Sequence, residues 1–403
     1  MKERPPVEDW STDFDHMDPR WAADPFPIWD ELRAKCPIAH TKRYGGAYLP
    51  TRLADVRDIA YDTESFSSRR VVIRENPPNV PIPSPPITSD APHHRPARML
   101  LLPAFTPQAI APMQPVTRRI ACELLDKLAG RTECDAALEY TQHIPVRVIA
   151  NMLGIPEDEG DRFRRWIHIF LEDTIRDDKD SAARLVETVN EMTEYFRPFA
   201  EERRKNPGND LISFLTKATM NGEPLTERHF YGTLQLLLIA GIDTTWSAIG
   251  SSLWHLARTP ADRRRLVAEP QLIPTAVEEF LRAYAPVTMA RLIAKDTVVN
   301  GCPMKAGEQV LLSFPAANRD PAAFPDADKV IIDRQENRHA AFGLGVHRCI
   351  GSNLARMEIC VALEEWLKRF PEFTLKDEKA VQWSQGPVRG PRRLPLLLAG
   401  AAA

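Results

Sequence analysis

One cysteine of this chain stands in a setting that suits a thiolate ligand to a metal. The segment from Ala341 to Gly351 reads AFGLGVHRCIG, and its three glycines imply a backbone that turns tightly and comes close to another group. Cys349 precedes a helix predicted to start near Ser352, so free N–H groups and the helix dipole favour an anionic sulfur, the form that ligates ferric iron. A buried structural cysteine in a glycine turn would explain this one residue, but not the whole pattern.

The cysteine segment resembles the F-G-x-G-x-H-x-C-x-G signature of the cytochrome P-450 family, the haem-thiolate monooxygenases. Every fixed position is filled, by Phe342, Gly343, Gly345, His347, Cys349 and Gly351. The resemblance implies that Cys349 is the axial ligand of the iron of haem b. It also implies that Phe342 packs by the sulfur, that Gly343 borders the cofactor, and that His347 reaches a haem propionate.

A second motif, AGIDTT, begins at Ala240 in the middle of a long predicted helix. Glycine, aspartate and threonine are poor helix-interior residues, so something other than helix propensity places them there. Thr244 could bond back to a carbonyl and open the helix locally, leaving room for dioxygen and water. The segment matches the family motif A-G-x-D-T-T. The resemblance implies that Ala240 and Gly241 lie against the distal haem face, and that Asp243 and Thr244 deliver protons to dioxygen. Simple packing or capping would also account for these residues.

An acid and an arginine, Glu279 and Arg282, lie three residues apart on the helix that Pro274 opens. Alone, this spacing fits an exposed helical ion pair worth a few tenths of a kcal/mol. Its place upstream of the cysteine segment matches the family's E-x-x-R motif, which locks to a further arginine and shapes the haem-binding core. The resemblance therefore implies a structural role for both residues, with Arg334 as the third member.

Three more cations are candidates to hold the haem propionates together with His347. His94 and Arg98 are four residues apart on one helical face, in a segment similar to the family's D-P-P-x-H-x-x-x-R pattern. One proline of that pattern is replaced by alanine, and Pro96 is unusual inside it. Arg291 matches the family arginine that follows the E-x-x-R helix. Each could be a surface cation, but together they would balance two propionates.

A largely helical frame must position these motifs. Helix is predicted from about residue 106 to 284, with a rod of roughly 45–50 Å between Thr226 and Pro260, and again over 352–370. Short strands are expected near 46–49 and 308–314. The proline-rich segment 77–86 fits a rigid surface loop or a wall of the binding site. The resemblance covers almost the whole chain, and implies a mainly α fold with a minor β part, one large triangular domain over residues 1–403.

Composition excludes several other classes of protein. The formal net charge of -3 argues against a nucleic-acid partner. The N-terminal residues lack the apolar stretch of a signal or anchor, and the longest apolar run, 234–242, is too short for a membrane span. Six well-separated cysteines without a C-x-x-C pair suit neither zinc nor an iron–sulfur cluster. We therefore expect a cytoplasmic protein with no membrane partner.

The family resemblance implies a monooxygenase reaction in which dioxygen, two electrons and two protons yield water and an oxygenated or dealkylated substrate. No flavin or iron–sulfur signature follows the haem part, so we expect electrons from NAD(P)H to arrive through a ferredoxin reductase and a ferredoxin. The chain could instead be a haem domain cut from a reductase fusion, which residues 240–257 resemble. It could also be a peroxide-driven peroxygenase of the same fold, or a non-catalytic haem-thiolate sensor.

The expected substrate is a small or medium hydrophobic molecule, with aromatic compounds among the candidates, because the candidate pocket walls are mainly apolar. These walls comprise the proline-rich segment and, among others, Leu236, Ile239, Val287, Thr288 and Val388. Arg69, Arg70 or Arg74 could anchor a carboxylate if they point inward. On the face nearest the sulfur, Arg348 and Arg356 are expected to attract an acidic ferredoxin.

Overall fold

The computed structural model describes residues 5–74, 84–173 and 180–399. The predicted predominance of helix is confirmed, since fifteen α-helices occur within these ranges. They are α1 Pro19–Ala23, α2 Phe26–Lys35, α3 Leu53–Tyr61, α4 His94–Leu101, α5 Pro107–Ile110, α6 Met113–Asp126, α7 His143–Leu153, α8 Gly160–His168, α9 Ser181–Lys205, α10 Leu211–Lys217, α11 Glu227–Arg258, α12 Pro260–Ala268, α13 Ile273–Ala283, α14 Phe314–Ala317 and α15 Ser352–Arg369.

The strands form small sheets at the edge of the helical body. The described strands are β1 Ile38–Thr41, β2 Ala47–Pro50, β3 Phe66–Ser67, β4 Glu133–Asp135, β5 Thr219–Met220, β6 Glu223–Pro224, β7 Thr288–Ile293, β8 Thr297–Val299, β9 Cys302–Met304, β10 Gln309–Ser313, β11 Phe373–Leu375, β12 Gln382–Trp383, β13 Pro391–Arg393 and β14 Pro395–Leu398. The largest sheet has the order β1-β2-β10-β7-β3, and only its β2–β10 pair is parallel. Both strands expected from the sequence, at 46–49 and 308–314, belong to this sheet.

The longest helix, α11, is the central element of the fold. The Thr226 hydroxyl accepts a hydrogen bond from the His229 N–H, which caps the helix where the sequence predicts its start, and Pro260 follows its end. An 18-residue window of α11 has a mean hydropathy of 1.3, which is apolar enough for a membrane span, but 72% of that window is buried inside the protein. Because α7, α9, α13 and α15 pack around it, α11 is a core helix.

The cysteine segment enters α15, as the sequence predicts, and α15 packs against α6, α11 and α13. A buried bond from the Tyr140 hydroxyl to the Ala362 carbonyl, 2.8 Å long, ties α15 to the segment before α7. The proline-rich prediction for residues 77–86 lies mostly outside the described residues. Pro85 and Pro86, which the structure does describe, are buried.

Candidate active site

Two glycines shape the loop that presents Cys349. Gly343 and Gly345 have φ of 71° and 67°, the left-handed region in which a side chain is strained. A Cβ on Gly345 would also lie 2.5 Å from the carbonyl oxygen of Ala60, so α3 can approach the loop only at a glycine. The loop closes where the Cys349 N–H donates to the Phe342 carbonyl over 2.7 Å. This bond and the glycine turns fix the sulfur at the start of α15.

The surroundings of the Cys349 sulfur act on its charge in opposite directions. Burial is the largest effect and raises the pKa of the thiol above its ordinary value, while a backbone bond from Gly351 and the positive charges of Arg98, Arg348 and Arg356 act in the opposite direction. Cys349 nevertheless keeps exposed surface beside these groups. A positively charged surrounding at a helix start is the setting in which a thiolate binds iron.

Four basic side chains form a cluster next to this loop, and we call His94, Arg98, Arg291 and His347 the cationic cluster. The rings of His94 and His347 lie 4.2 Å apart, and His347 Nε2 is 2.9 Å from the Ser68 hydroxyl, a partner that the sequence did not suggest. Burial, with the charges of Arg291, His94 and Arg98, lowers the pKa of His347 to about 3. His347 is therefore neutral near pH 7.

The cationic cluster fits the two carboxylates of a haem group. Within the described residues, neither Arg98 nor Arg291 forms an ion pair with an acid, and the guanidinium of Arg291 donates to the Ala290 carbonyl. Burial lowers the pKa of Arg291 to about 10, and the buried Nε2 of His94 has no hydrogen-bond partner among the residues that the structure describes. Buried cations and polar atoms are costly unless paired, so this donor set suits an anionic ligand.

On α11, the threonine and the aspartate of AGIDTT have different environments. Thr244 is half-buried, and its hydroxyl donates to the Ala240 carbonyl over 2.9 Å. The back-bond predicted from the sequence is present, but it does not open the helix, which stays α-helical throughout. Ala240 is exposed, and the Cα of Gly241 packs toward Ile149, where a Cβ would make an ordinary 3.5 Å contact.

Asp243 is fully buried and has an ion-pair partner that the sequence did not reveal. Its Oδ2 accepts a 2.9 Å bond from Nη2 of Arg392 in β13, and only 1% of its side chain is exposed. Burial raises the pKa of Asp243, and the nearby Arg392 opposes that effect. The clustered arginines of the C-terminal RGPRR run were the only available signal for such a partner.

The E-x-x-R residues form a buried network with Arg334. Arg282 binds both oxygens of Glu279 over 2.8 Å, and Arg334 Nε lies 3.0 Å from Glu279 Oε2. The side chains of Glu279 and Arg282 are 0% exposed, which excludes a solvent-exposed helical pair. Arg282 also donates to the carbonyls of Asn318, Ala327 and Lys329, so the network ties α13 to the loop that precedes the cysteine segment.

The candidate substrate residues differ in how far they are accessible. Leu236, Ile239 and Val287 are half-buried, whereas Thr288 and Val388 are buried. Val388 pairs with Val287 in an isolated bridge, and the Thr288 N–H donates to the Pro387 carbonyl over 2.8 Å. Thr288 and Val388 therefore hold the C-terminal turn against β7. Arg69, one of the candidate carboxylate anchors, has a 78% exposed side chain that lies 3.5 Å from Asp90, so it points outward.

The two arginines expected to face a ferredoxin have different surroundings. Arg348 is exposed. Arg356 binds both carboxylate oxygens of Glu278, over 2.5 and 2.8 Å, and its guanidinium lies 4.4 Å from the centroid of the Phe342 ring. Burial opposes ionisation of Glu278, but bonds from Arg356 and His339 outweigh it and lower the pKa of Glu278 to about 2. The charge of Arg356 is thus paired with that of Glu278, which weakens the attraction that Arg356 could exert on an acidic ferredoxin.

Comparison with known proteins agrees with this site. The Cytochrome P-450 family profile matches residues 146–388. Mycinamicin IV hydroxylase/epoxidase of Micromonospora griseorubida is 36% identical over 92% of this chain and 94% of its own length. Vitamin D(3) 25-hydroxylase of Pseudonocardia autotrophica is 33% identical over 94% and 95%. The solved structure of cytochrome P-450 CYP109Q5 from Chondromyces apiculatus is 34% identical, covers 97% of this chain and 99% of that one, and has a TM-score of 0.87.

Fold and site together define a haem-thiolate oxidoreductase. The chain belongs to the cytochrome P-450 family, and it is a monooxygenase of the bacterial type.

Proposed function

We propose that this enzyme hydroxylates or dealkylates a hydrophobic organic substrate with electrons from a separate ferredoxin. The observation that carries the proposal is the pair Asp243 and Thr244, a buried carboxylate next to a half-buried hydroxyl on α11. Haem, when bound, supplies the reduction of dioxygen and the oxidation of the substrate. The protein holds the cofactor, excludes water and supplies protons.

The residues near the cysteine segment would hold the cofactor. Cys349 would bind the iron, with Phe342 and Gly343 beside it, while the cationic cluster would bind the propionates. The two arginines suit this task because charge-assisted bonds to carboxylates are roughly twice as strong as neutral ones. A neutral histidine can still donate one hydrogen bond to a carboxylate. Glu279, Arg282 and Arg334 would keep the preceding loop in place without touching the cofactor.

The acid and the alcohol on α11 would manage protons. Thr244 Oγ1 both donates and accepts hydrogen bonds, so it can hold a proton donor close to the reacting oxygen while it keeps its bond to the Ala240 carbonyl. Asp243 would pass protons on toward Thr244, since burial raises its pKa and so favours the protonated form more than in an exposed carboxylate. Ala240 and Gly241 carry no bulky side chain, which leaves space beside this pair.

The proton-delivering pair favours a monooxygenase over a peroxygenase or a sensor. A peroxygenase receives both protons with its peroxide and needs no acid–alcohol pair. A sensor needs no proton path at all. Arg392 holds Asp243 in a buried position, where desolvation of the carboxylate is costly. We take this costly arrangement as support for a role of Asp243 in proton supply, and therefore for an enzyme that consumes dioxygen and protons.

The substrate is proposed to be hydrophobic, with aromatic compounds among the candidates, because Leu236, Ile239 and Val287 offer apolar, half-buried surface. The names of two relatives refer to mycinamicin IV and to vitamin D(3), so the substrates of similar proteins differ widely. The sequence-based size range, small to medium, stays part of the proposal.

The electron donor is proposed to be an acidic ferredoxin, reduced by NAD(P)H through its reductase in the cytoplasm. Exposed Arg348 precedes the sulfur ligand in the chain, and the same loop carries exposed Val346. The loop also approaches exposed Tyr61, whose Cα would lie 3.7 Å from a Cβ on Gly345. A cation beside apolar surface suits a transient protein partner. Charge attraction would guide the approach of that partner, and apolar contacts would stabilise the complex.

Turnover with isotopically labelled dioxygen tests the proposed function. Compounds are first screened for a low- to high-spin shift of the haem spectrum, and those that bind are incubated with NADH, a ferredoxin and its reductase. We expect one labelled oxygen atom in the hydroxylated product, or in the aldehyde released by dealkylation, and the other in water. Product formed only with hydrogen peroxide would establish a peroxygenase. Binding without product under either condition would establish a sensor.

A further inference from the structure

A single guanidinium connects the buried acid of α11 to a second carboxylate nearer the surface. Arg392 donates from Nη2 to Asp243 over 2.9 Å, from Nε to Glu172 over 2.8 Å, and from Nη1 to the Ser247 hydroxyl over 3.1 Å. Glu172 lies in a π-helical segment, Ile169–Asp173, that follows α8. Two acids therefore share one cation. Each acid weakens the electrostatic attraction between that cation and the other acid.

Close packing of β13 on α11 makes this contact possible. A Cβ on Gly390 would lie 2.3 Å from the Cβ of Ser247, and a Cβ on Gly250 would lie 2.7 Å from the Cγ of Pro391. Both surfaces need glycine at the contact, so the strand reaches α11 closely enough for Arg392 to bind Asp243. The guanidinium also lies 4.5 Å from the centroid of the Trp246 ring, which fixes its plane further.

The outer end of this network is open to solvent. Nδ1 of His168 lies 3.7 Å from Oε2 of Glu172, and the His168 side chain is 56% exposed. Burial raises the pKa of Asp243, Arg392 and His168 act to lower it, and Glu172 acts to raise it. These three groups come from β13, α8 and the π-helical segment, the elements that bring charge to this part of α11.

We propose that Arg392 and Glu172 are positioning residues for Asp243: Arg392 holds its carboxylate on α11, and Glu172 competes for the same guanidinium and weakens that hold. The inference rests on the proposed role of Asp243 in proton supply and adds the residues that regulate it.

The proposal predicts opposite effects for the two variants. Arg392→Gln removes the cation, so the pKa of Asp243 should rise by about 1–3 pH units. Glu172→Gln removes the competing acid and leaves the guanidinium to Asp243, so the pKa should fall. Opposite shifts would show that both groups act on the Asp243 carboxylate through their charge, whereas the pH dependence of product yield separates this effect from a contact that only supports the fold.

Infrared pH titration of the haem-loaded enzyme measures this property directly. The band of the protonated carboxyl group of Asp243 is assigned by its loss in Asp243→Asn. We expect its midpoint to move up in Arg392→Gln, to stay near wild type in Arg392→Lys, and to move down in Glu172→Gln. Arg393→Gln and Glu191→Gln are matched controls, since both residues form ion pairs with half-exposed side chains, and neither should move the midpoint.

A midpoint that does not move in Glu172→Gln, or that moves the same way in both variants, would overturn the inference. If Arg392→Gln fails to fold, Glu172→Gln and Arg392→Lys still carry the test. The fraction of NADH recovered as product, measured as a function of pH, distinguishes the proposed positioning of Asp243 from its proposed role in proton supply. Opposite shifts of that pH profile would support both. Shifted carboxyl midpoints with an unchanged profile would leave the positioning in place and overturn proton supply by Asp243.

Discussion

The guanidinium of Arg356 lies 4.4 Å from the centroid of the Phe342 ring, and so joins α15 to the start of the cysteine segment. The same guanidinium binds both oxygens of Glu278 in α13. Arg356 therefore connects three parts of the chain around the sulfur ligand. We infer that its role is structural, and that exposed Arg348 is the better candidate for contact with a redox partner.

Charge reversal should separate these two arginines. We expect Arg348→Glu to slow reduction by ferredoxin several-fold at low salt, because it replaces attraction by repulsion, and the deficit should shrink as salt screens the interaction over about 8–10 Å. Stopped-flow reduction rates at two salt concentrations measure this effect. Arg264→Glu, at an exposed position on α12, is the control. A rate that is indifferent to both salt and Arg348→Glu would place the docking surface elsewhere.

The bond between Arg356 and Glu278 should make stability depend on acid pH. The folded state holds the pKa of Glu278 at about 2, below its ordinary value of 4.5. The stabilisation is therefore fully present above pH 4.5 and is lost as the pH falls toward 2. We expect Glu278→Gln to be less stable than wild type by about 1–2 kcal/mol near pH 7, allowing for solvent screening, and the difference to shrink below pH 4. Urea unfolding of the apoprotein at several pH values measures it, and a constant difference would contradict the assignment.

Removing the centre of the E-x-x-R network should be far more costly than removing a surface acid. Glu279→Ala leaves Arg282 and Arg334 without their shared carboxylate in a fully buried site, so we expect a loss of about 3–5 kcal/mol. Glu269→Ala, which breaks an exposed pair with Arg265, should cost about 0.3–0.5 kcal/mol. Equal losses in chemical unfolding would mean that the buried network does not stabilise the fold.

Thr244 should determine how efficiently electrons reach product. Thr244→Ala keeps the fold of α11 and the substrate pocket, but it removes the hydroxyl that organises proton delivery. We expect normal substrate binding, with most of the NADH diverted to hydrogen peroxide. Ser252→Ala is the matched control, because the Ser252 hydroxyl makes the same bond to the carbonyl four residues earlier. An unchanged yield of product per NADH in Thr244→Ala would remove Thr244 from the proton path.

Local sequence signals were sufficient for the ends of α11, for the start of α15 and for the turns of the cysteine segment, but they indicated only two of the described strands. Thr226 and Pro260 mark the ends of α11 because capping and helix breaking depend on neighbouring residues. The cysteine loop was predictable for the same reason, since its glycines are required where the chain turns. The partners of charged groups were not predictable in this way. Arg392 reaches Asp243 across 149 residues of chain, and Arg356 reaches Glu278 across 78.

Such pairings depend on the packing of distant elements, which no spacing rule encodes. Arg356 carried the same sequence signal as Arg348, a cation near the ligand, and only the position of α13 distinguishes them. The family resemblance led to the expectation that Glu279 binds two arginines. The three-residue spacing of Glu279 and Arg282 alone would also have fitted an ion pair at the surface.

Iron ligation by Cys349 is the central claim, and the absorption spectrum of the reduced protein under carbon monoxide tests it most directly. Wild type should show the strongly red-shifted Soret band that thiolate ligation produces. Cys349→Ser should lose that band, while Cys360→Ser, on the following helix, should retain it. A Cys349→Ser protein that kept the red-shifted band would contradict the assignment of the ligand and the account of the site built on it.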